Sequence, residues 1–488
     1  MTDESREGSL SFACGALPDD EVALHGVVGK EELSRLFSFD LLLHREKGPF
    51  SADELDLLLK SPCAIALGHS AEDIVHGLLS QIELLDDDAH HAARYRARLV
   101  PTAWLLTLAR TDRLFQAMTV PEMVTAILRQ YGLVPGTDFD VLTSGQHPSR
   151  EYVVQFAESD WDFIQRWLEH EGLYYWFEHG RRGEKLIVSD TSADATPISG
   201  SSTLRYRRKN NLGAGGEGTI HRWNLVQRRI PARVVVSDYN YRTPALPLVS
   251  RADVDVQRGF GTVFTWGEHV KTPDEGAVIA ALRAERIRCE RRTFSGRSDC
   301  RRLRAGHRFT LEDHPDAEND GAYLLTAIEH HVGHALDGEG ERLPYEARFT
   351  AIPGDVQFRP EASTPWPTIE GVLHAHIDGD AGGTVAEIDE QGRYRVKLPF
   401  DASEARGSKA SRWIRMAQPY SGAGYGSHFP LHKGTEVLLA HVGGDPDRPI
   451  IVGSVPNPVT PGPVANKNAS QSVIHTHSGI RIELEDQG

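Results

Sequence analysis

The most constraining feature of this sequence is its last segment, residues 472–485. Apolar and polar residues alternate there, with Ile474, Ile480, Ile482 and Leu484 among the apolar ones, and this alternation is typical of a β-strand. A proline-rich and then polar tether precedes it, so no adjacent segment offers a partner strand. An isolated strand can neither bury an apolar face nor satisfy the hydrogen bonds along its edges. We therefore expect other copies of the chain to complete this strand, which makes the protein an oligomer.

A series of short strands is predicted just before that segment. Residues 353–367 contain several prolines and no periodicity, which is typical of a linker. After this linker, short strand-like segments separated by turn residues span 369–377, 385–388, 393–400, 412–417, 436–442 and 449–455. About five or six strands of this length favour a small closed barrel of the OB type. We therefore assign residues 366–457 to an OB-fold barrel.

The region before the linker combines strands with a few helices. Residues 36–43 and 95–100 alternate as strands do, and residues 173–177 form an apolar run typical of a strand buried on both faces. Helices are predicted to begin at Thr119, Ser159 and Thr272, because each is a good N-cap before apolar residues at helical spacing. The sequence thus predicts a mainly β fold with a few helices (α+β).

Composition excludes several classes of protein. The chain has 488 residues, 40% hydrophobic and 25% charged, a balance typical of a globular protein of about two to four domains. No run approaches the roughly 18 apolar residues of a membrane-spanning helix, and the acidic start lacks the features of a signal peptide. The net charge of −16 argues against nucleic-acid or anionic-lipid binding, so the barrel is not expected to bind oligonucleotides.

The cysteines indicate a reducing compartment. Cys14, Cys63, Cys289 and Cys300 form no C-x-x-C pair, and four cysteines in so long a chain cannot provide a disulfide scaffold. We expect free thiols in the cytoplasm.

Two motifs that suggest ligands have simpler explanations. Residues 213–218 fit the glycine-rich pattern of a dinucleotide-binding loop, but a strand-like segment follows instead of a helix, so we expect a plain loop. Residues 378–389 loosely resemble a calcium loop, but predicted strands flank them and a glycine replaces one oxygen ligand, so we expect a hairpin turn. No cofactor is predicted.

A histidine cluster, His330, His331 and His334, is the strongest candidate for a metal site. Zinc needs three or four ligands, and hydrolysis needs a carboxylate base, for which Glu329 is adjacent. Residues 323–328 form a predicted strand, on which His330 and His334 share a face while His331 points away. We expect solvated polar positions at a strand end. A metal-dependent hydrolase remains the alternative function.

Motifs spread over nearly the whole chain resemble those of the VgrG spike proteins of type VI secretion. They occupy residues 33–37, 104–106, 113–116, 158–164, 171–175, 238–244 and 305–311. The most specific block lies in the barrel, at residues 424–430, 434–439 and 443–450. Each piece is weakly specific, whereas the ordered set is strongly specific.

The resemblance implies an architecture. Residues 1–365 should form a phage tail hub of interleaved β-barrel subdomains, three copies of which make a pseudo-hexameric ring. Residues 366–457 should form the OB barrel, and residues 458–488 the neck and the beginning of a trimeric β-helix needle. The residues expected at the trimer neck are Ile474, Ile480, Ile482 and Leu484, and those expected in a fixed turn of the barrel are Asp445, Pro446, Asp447 and Arg448.

The resemblance also implies a function. It predicts a homotrimeric structural spike without enzymatic activity, which assembles in the cytoplasm on an Hcp-like tail tube and baseplate proteins. A PAAR-type tip protein or an effector should cap it. Injection should follow a signal-peptide-independent route, with membrane contact only on puncture. A phage tail or an extracellular contractile particle is the alternative machine.

Three departures from the family pattern stand out. The needle is nearly absent, residues 398–402 lack an aromatic–acid–basic run, and residues 431–433 replace a more usual proline–arginine pair.

Overall fold

The computed structural model describes residues 10–18, 21–87, 92–181, 183–208, 218–336, 341–380, 382–401 and 412–486. The chain divides into two compact units. The first unit comprises Met1–Ala109, Val120–Pro148 and Asp160–Thr364, and the second comprises Arg110–Thr119, Ser149–Ser159 and Pro365–Gly488. The last division falls inside the predicted linker.

Most of the described chain is β-strand. In chain order the strands are β1 (Ser11–Cys14), β2 (Ala23–Glu32), β3 (Ser38–Arg45), β4 (Pro62–Ala66), β5 (Ile74–Asp87), β6 (Ala93–Val100), β7 (Arg110–Phe115), β8 (Phe139–Leu142), β9 (Val153–Ser159), β10 (Tyr174–His179), β11 (Glu184–Ser189), β12 (Thr203–Tyr206), β13 (Thr219–Gln227), β14 (Arg233–Asp238), β15 (Leu248–Asp253), β16 (Thr262–Trp266), β17 (Arg292–Ser298), β18 (Arg308–Glu312), β19 (Gly321–Gly333), β20 (Leu343–Pro353), β21 (Val372–Asp378), β22 (Arg395–Lys397), β23 (Ser421–Gly422), β24 (Tyr425–Gly426), β25 (Glu436–His441), β26 (Pro449–Ser454), β27 (Gln471–His475) and β28 (Arg481–Glu485).

The α-helices among the described residues are α1 (Ala52–Lys60), α2 (Val120–Gln130), α3 (Asp160–His170) and α4 (Pro273–Arg291). Short 3₁₀ turns lie at Ala71–Asp73, Thr102–Thr107, Ser192–Asp194, Ala317–Asn319 and Val442–Gly444. None of the helices in the described part of the chain has the length and apolarity needed to cross a bilayer.

A closed six-stranded barrel dominates the first unit. Strands β19, β18, β12, β13, β17 and β20 pair in that order, and β20 pairs back with β19. Its aromatic core consists of Trp223, Phe294, Phe309, Tyr323 and Phe349, whose rings pack against one another. A Cβ at position 296 would lie 2.3 Å from the Phe349 ring, so the barrel wall needs glycine at that point. From β19 the sheet continues through β2, β3, β6, β5 and β4 to its terminal strand β1.

Two smaller sheets complete the first unit. Strands β10, β11 and β8 form one of them, and residues 174–177 of β10 are buried on both faces, as the sequence predicted. Strands β15, β14 and β16 form the other, which packs on α4 through a core that includes Val234, Ile279 and Ala280.

The three predicted helices begin where their N-caps indicated. Thr272 caps α4, because its hydroxyl accepts a hydrogen bond from the Glu275 amide at 3.2 Å. The Glu275 carboxylate accepts from the Lys271 amide, one residue before the N-cap, at 2.8 Å. Helix α1 was not predicted, although Ser51 and Glu54 at its start form a complete capping box.

The second unit contains the small barrel. Strands β22, β21, β25 and β26 form its sheet, and isolated bridges add Val385, Ile414 and Met416. Predicted strand 385–388 is thus reduced to one isolated bridge and predicted strand 412–417 to two.

The predicted boundary of this barrel was incomplete. Arg110–Thr119 and Ser149–Ser159, which the sequence assigned to the hub region, belong to the second unit. The physical reason is burial, since Tyr152 and Val154 lie in the same core cluster as Tyr394, Val437 and Ile451.

The final segment differs from its prediction. It is not a single strand without a partner, because β27 and β28 pair antiparallel with Ile474 opposite Ile482. Gly479 adopts a φ of 96°, and its amide donates to the Thr476 carbonyl at 2.9 Å, which reverses the chain. The His477 ring in this turn stacks on His432 of the barrel, with ring centroids 4.3 Å apart.

Candidate functional sites

The four residues predicted at the trimer neck share one face of the closing hairpin, which we define as β27, β28 and the turn between them. Because side chains alternate along a strand, Ile480, Ile482 and Leu484 lie on one side, and Ile474 is directly opposite Ile482. They are between 46% and 66% exposed. The other face is more polar and includes an ion pair between Arg481 and Glu483 at 2.8 Å. The hairpin therefore presents an unpaired apolar stripe, which is typical of an interface.

The residues predicted to form the barrel turn connect β25 to β26. Asp445 forms its centre, because one carboxylate oxygen accepts from the Asp447 amide at 2.9 Å and the other contacts the Arg448 guanidinium at 3.1 Å. The Arg448 amide also donates to the Asp445 carbonyl at 2.9 Å. Pro446, the second residue of this turn, restricts its backbone further.

Asp447 has a role that the sequence did not reveal. Its buried carboxylate accepts a 2.6 Å hydrogen bond from the Val154 amide, in β9. Arg412 donates to the Asp447 carbonyl and places its guanidinium 4.8 Å from the centre of the Tyr152 ring. The turn thus binds the segment 149–159 to the barrel.

The sequence predicted that the histidine cluster lies at a solvated strand end, and the structure differs from this prediction. His330 is completely buried: Nδ1 lies 2.7 Å from the Tyr345 hydroxyl and Nε2 lies 2.9 Å from the Glu31 carboxylate. His331 is half-buried, 3.8 Å from Glu329. His334 follows the end of β19, beyond a register shift, with its ring 6.0 Å from His25. The prediction was wrong for His330, because residues distant in sequence cover it.

Burial and neighbouring charges together set the protonation states around His330. Burial lowers the pKa of His330, and it lowers the pKa of His179 to about 3. Burial of Glu31 raises its pKa, but the Arg304 guanidinium and His330 outweigh burial and lower it to about 2. Glu31 is therefore ionised and His330 neutral, with Nε2–H donating to the carboxylate and the Tyr345 hydroxyl donating to Nδ1.

This arrangement does not form a metal site. Both ring nitrogens of His330 are engaged in hydrogen bonds, and within the described residues the three histidines do not bring their ligand atoms together. Sequence reasoning missed Glu31, Arg304 and Tyr345, because nothing in their local patterns marks them as partners of His330.

The two remaining motifs have different outcomes. Residues 213–217 lie outside the described residues, and Gly218 precedes β13. In the calcium-like segment, Asp389 accepts from the Gln391 and Arg393 amides and pairs with the Arg393 side chain. Asp380 pairs with Arg395 at 3.3 Å. The carboxylates thus stabilise a turn, as predicted.

The fold defines the class of protein: a tail-hub region with a closed barrel, followed by a smaller OB-type barrel. Two family models match the chain: the phage tail baseplate hub (GPD) over residues 30–336, and the type VI secretion system/phage-baseplate injector OB domain over residues 381–455. The chain belongs to the phage tail baseplate hub family. The predicted fold class, mainly β with a hub and an OB-fold barrel, is confirmed.

Curated relatives specify the branch of that family. The type VI secretion system spike protein VgrG1c of Pseudomonas aeruginosa is 30% identical over 461 residues, covering 93% of this chain and 62% of its own length. VgrG1a of the same organism is 29% identical, covering 95% and 72%. The actin cross-linking toxin VgrG1 of Vibrio cholerae is 28% identical, covering 98% of this chain and 45% of the toxin. The predicted relationship to VgrG spikes is confirmed.

Solved structures agree with this assignment. An E. coli type VI secretion component, described as structurally similar to T4 bacteriophage tail proteins, matches with a TM-score of 0.66 and 25% identity over 91% of this chain and all of that one. The Francisella PdpA–VgrG complex, half-lidded, shares the fold with a TM-score of 0.62 and 8% identity, covering 99% of this chain and 84% of that one. The chain therefore shares the fold of a type VI secretion component.

Proposed function

We propose that this chain is the homotrimeric spike of a type VI secretion machine, which lies on the tail tube and is driven through a target membrane while carrying effectors. The observation that carries the proposal is the exposed apolar face of the closing hairpin, in a chain with a tail-hub fold. That face needs a partner that the described chain does not supply, and identical copies offer the same face.

The proposed mechanism is mechanical. Around a threefold axis, three copies of Ile474, Ile480, Ile482 and Leu484 would pack against one another and exclude water. A two-stranded hairpin of this length is marginally stable alone, so assembly would also rigidify it. The buried barrel core and the hydrogen bond from the Val154 amide to the Asp447 carboxylate would transmit force without local unfolding.

The partners follow from the position of such a spike. We infer an Hcp-like tail tube and baseplate proteins on the hub side, and a PAAR-type tip protein or an effector beyond the hairpin. The solved PdpA–VgrG complex supports a VgrG partner of this general kind. We also infer that the chain binds no nucleic acid and has neither enzymatic activity nor a cofactor.

Localisation follows from the same proposal. The spike would assemble in the cytoplasm and leave the cell by injection. A type VI machine, as opposed to a phage tail, would be encoded beside a membrane complex and an ATPase.

The molar mass of the purified chain tests the trimer. Light scattering at micromolar concentration should give three times the chain mass of 54.0 kDa. Ile474→Glu should reduce the mass to that of one chain, because a charge cannot be buried without a partner at the packed axis. His475→Glu is the matched control, on the opposite face of the same strand, and should leave a trimer. A wild-type mass of one chain would refute the proposal.

A further inference from the structure

Two cysteines lie directly opposite each other at the terminal strand of the large sheet. Cys14 in β1 pairs with Cys63 in β4 in an antiparallel register. The Gly15 amide donates to the Pro62 carbonyl at 3.0 Å, so the neighbouring pair is the hydrogen-bonded kind and the cysteines form a non-hydrogen-bonded pair. Such pairs have Cα atoms about 4.5 Å apart, within the roughly 4.4–6.8 Å range of disulfides. The backbone geometry is therefore compatible with a bond between the two sulfurs.

The two thiols also interact chemically. A hydrogen bond from Cys63 lowers the pKa of Cys14 to about 7, and the same contact raises the pKa of Cys63. The thiolate is the nucleophilic form of cysteine, so Cys14 is the attacking residue of the pair. Both sulfurs are buried, but β1 is the edge strand of the sheet and is held on one side only, so it opens more readily than the inner strands.

The other two cysteines do not lie opposite each other on paired strands, and neither has a lowered pKa. Cys289 lies on α4, where its thiol donates to the Glu285 and Gln357 carbonyls, and burial raises its pKa. Burial likewise raises the pKa of Cys300, in the loop after β17. These thiols serve as internal controls.

We propose that Cys14 and Cys63 are a disulfide-forming site, which closes by exchange with a disulfide oxidant such as oxidised glutathione or a thiol oxidoreductase. The Cys14 thiolate attacks one sulfur of the oxidant, forming a mixed disulfide and releasing one thiolate. Cys63 loses its proton to solvent and attacks the Cys14 sulfur, which breaks the mixed bond and releases the second thiolate. Two protein thiols are oxidised, and one oxidant disulfide is reduced to two thiols.

The bond would attach the first strand of the sheet covalently to its neighbour. It closes the chain between residues 14 and 63 into a loop, which restricts the unfolded ensemble. The thiols stay reduced in the cytoplasm and would oxidise in an oxidising compartment. Only this timing, on leaving the cell, rests on the proposed function; the chemistry does not.

Peptide mapping of the full-length protein tests the site. Reduced protein is incubated with oxidised glutathione at pH 7.5, alkylated in denaturant and digested without reductant. Mass spectrometry should find a Cys14–Cys63 linked peptide in most molecules, with Cys289 and Cys300 alkylated as free thiols. A stable glutathione adduct on Cys14 without the linked peptide, or four free thiols, would overturn the proposal. This result is independent of the oligomeric mass.

Two further measurements separate the pair from nonspecific oxidation. Oxidised protein should melt at a higher temperature than reduced protein, and this shift should vanish in Cys14→Ser but persist in Cys289→Ser. The rate at which Cys14 forms the mixed disulfide should rise with pH through about 7 and level off about one pH unit higher, because it follows the fraction of Cys14 thiolate. A rate that continues to rise beyond pH 8.5 would contradict the assignment of Cys14 as the nucleophile.

Discussion

His330 and Glu31 form a buried hydrogen-bonded pair in the wall of the first unit. The carboxylate oxygen that accepts from His330 also lies 3.7 Å from Arg304, and the second nitrogen of His330 faces Tyr345. Each member satisfies a polar group that has no access to water. Removing one of them leaves the others without partners, and this cost usually exceeds the net stability of the bond itself.

Replacing His330 with leucine should destabilise the fold by about 3 kcal/mol, because it leaves a buried carboxylate and a buried hydroxyl short of a partner. Urea unfolding measures this loss. The matched control is His331→Ala, at the half-exposed neighbouring position, for which we expect about 0.5 kcal/mol. Equal effects of the two substitutions would show that the buried network adds nothing to the free energy of unfolding.

Metal analysis of wild-type protein should find no bound zinc, which would exclude the hydrolase alternative.

The contacts of individual side chains were the feature least predictable from the sequence. The spacing of His330, His331 and His334 is visible in the chain, but Glu31 lies far away in sequence and Tyr345 belongs to another strand. Burial depends on which strands become neighbours in the fold, and a single sequence does not show this pairing. The turn at Asp445–Arg448 was easier to locate, because its composition is local, yet its contact with Val154 was invisible for the same reason.

Strands β7 and β9 change the definition of the small barrel. They pair with each other and contribute to the second unit, although α2 and β8 separate them in the chain. Leu114 and Phe156 pack around the barrel core, and Tyr152 and Val154 form part of it. A fragment covering only residues 366–457 would lack these side chains.

Asp447→Ala should release β9 from the barrel, because the buried Val154 amide loses its acceptor. We expect a cost of about 2 kcal/mol, equivalent to a factor of about 30 in local opening. Hydrogen exchange should show reduced protection in residues 152–156, with β14 and β15 unchanged. Asp447→Asn retains an acceptor oxygen and should preserve most of the protection. Unchanged hydrogen exchange in the alanine variant would show that the Asp447–Val154 hydrogen bond is not needed to hold β9 on the barrel.

Elements with local determinants were predicted well. Helix α4 begins after Thr272, and β10 is buried as its apolar run indicated. The closing hairpin was misread as one strand, because the Ser478–Gly479 reversal was overlooked within an alternating segment. The local patterns did not indicate closure of the six-stranded barrel, which was expected only from the family resemblance, since closure depends on pairing between β19 and β20 and on strands far apart in sequence.

For the whole molecule, buried histidines link stability to pH. Burial lowers the pKa of several of them below the ordinary value of 6.5; these include His25, His179, His307, His330, His331 and His441. They stay neutral in the folded chain, whereas in the unfolded chain they gain protons as pH falls below 6.5. The unfolded state then binds more protons, so stability decreases with acidification. The lowered pKa of Glu31 adds a further loss below about pH 4.5.

Thermal melts should therefore give a lower Tm at pH 5.5 than at pH 7.5. Each fully buried neutral histidine costs about 1.4 kcal/mol per pH unit below 6.5. His147 opposes this trend: burial lowers its pKa, but Glu171 and Asp190 outweigh burial and raise it. His147→Asn should consequently make the fall in Tm steeper. A Tm that is constant or rises between pH 7.5 and 5.5 would contradict the assigned protonation states.

The shared core of the small barrel also affects how the protein is made. Residues 149–159 leave the ribosome roughly 200 residues before the remaining strands of that barrel, so the nascent chain holds Tyr152 and Val154 without their final neighbours until those strands follow. A product that terminates early keeps those side chains exposed to chaperones and proteases. Because the barrel closes only after β26 has been synthesised, a chain that stops before Ser454 cannot complete this core.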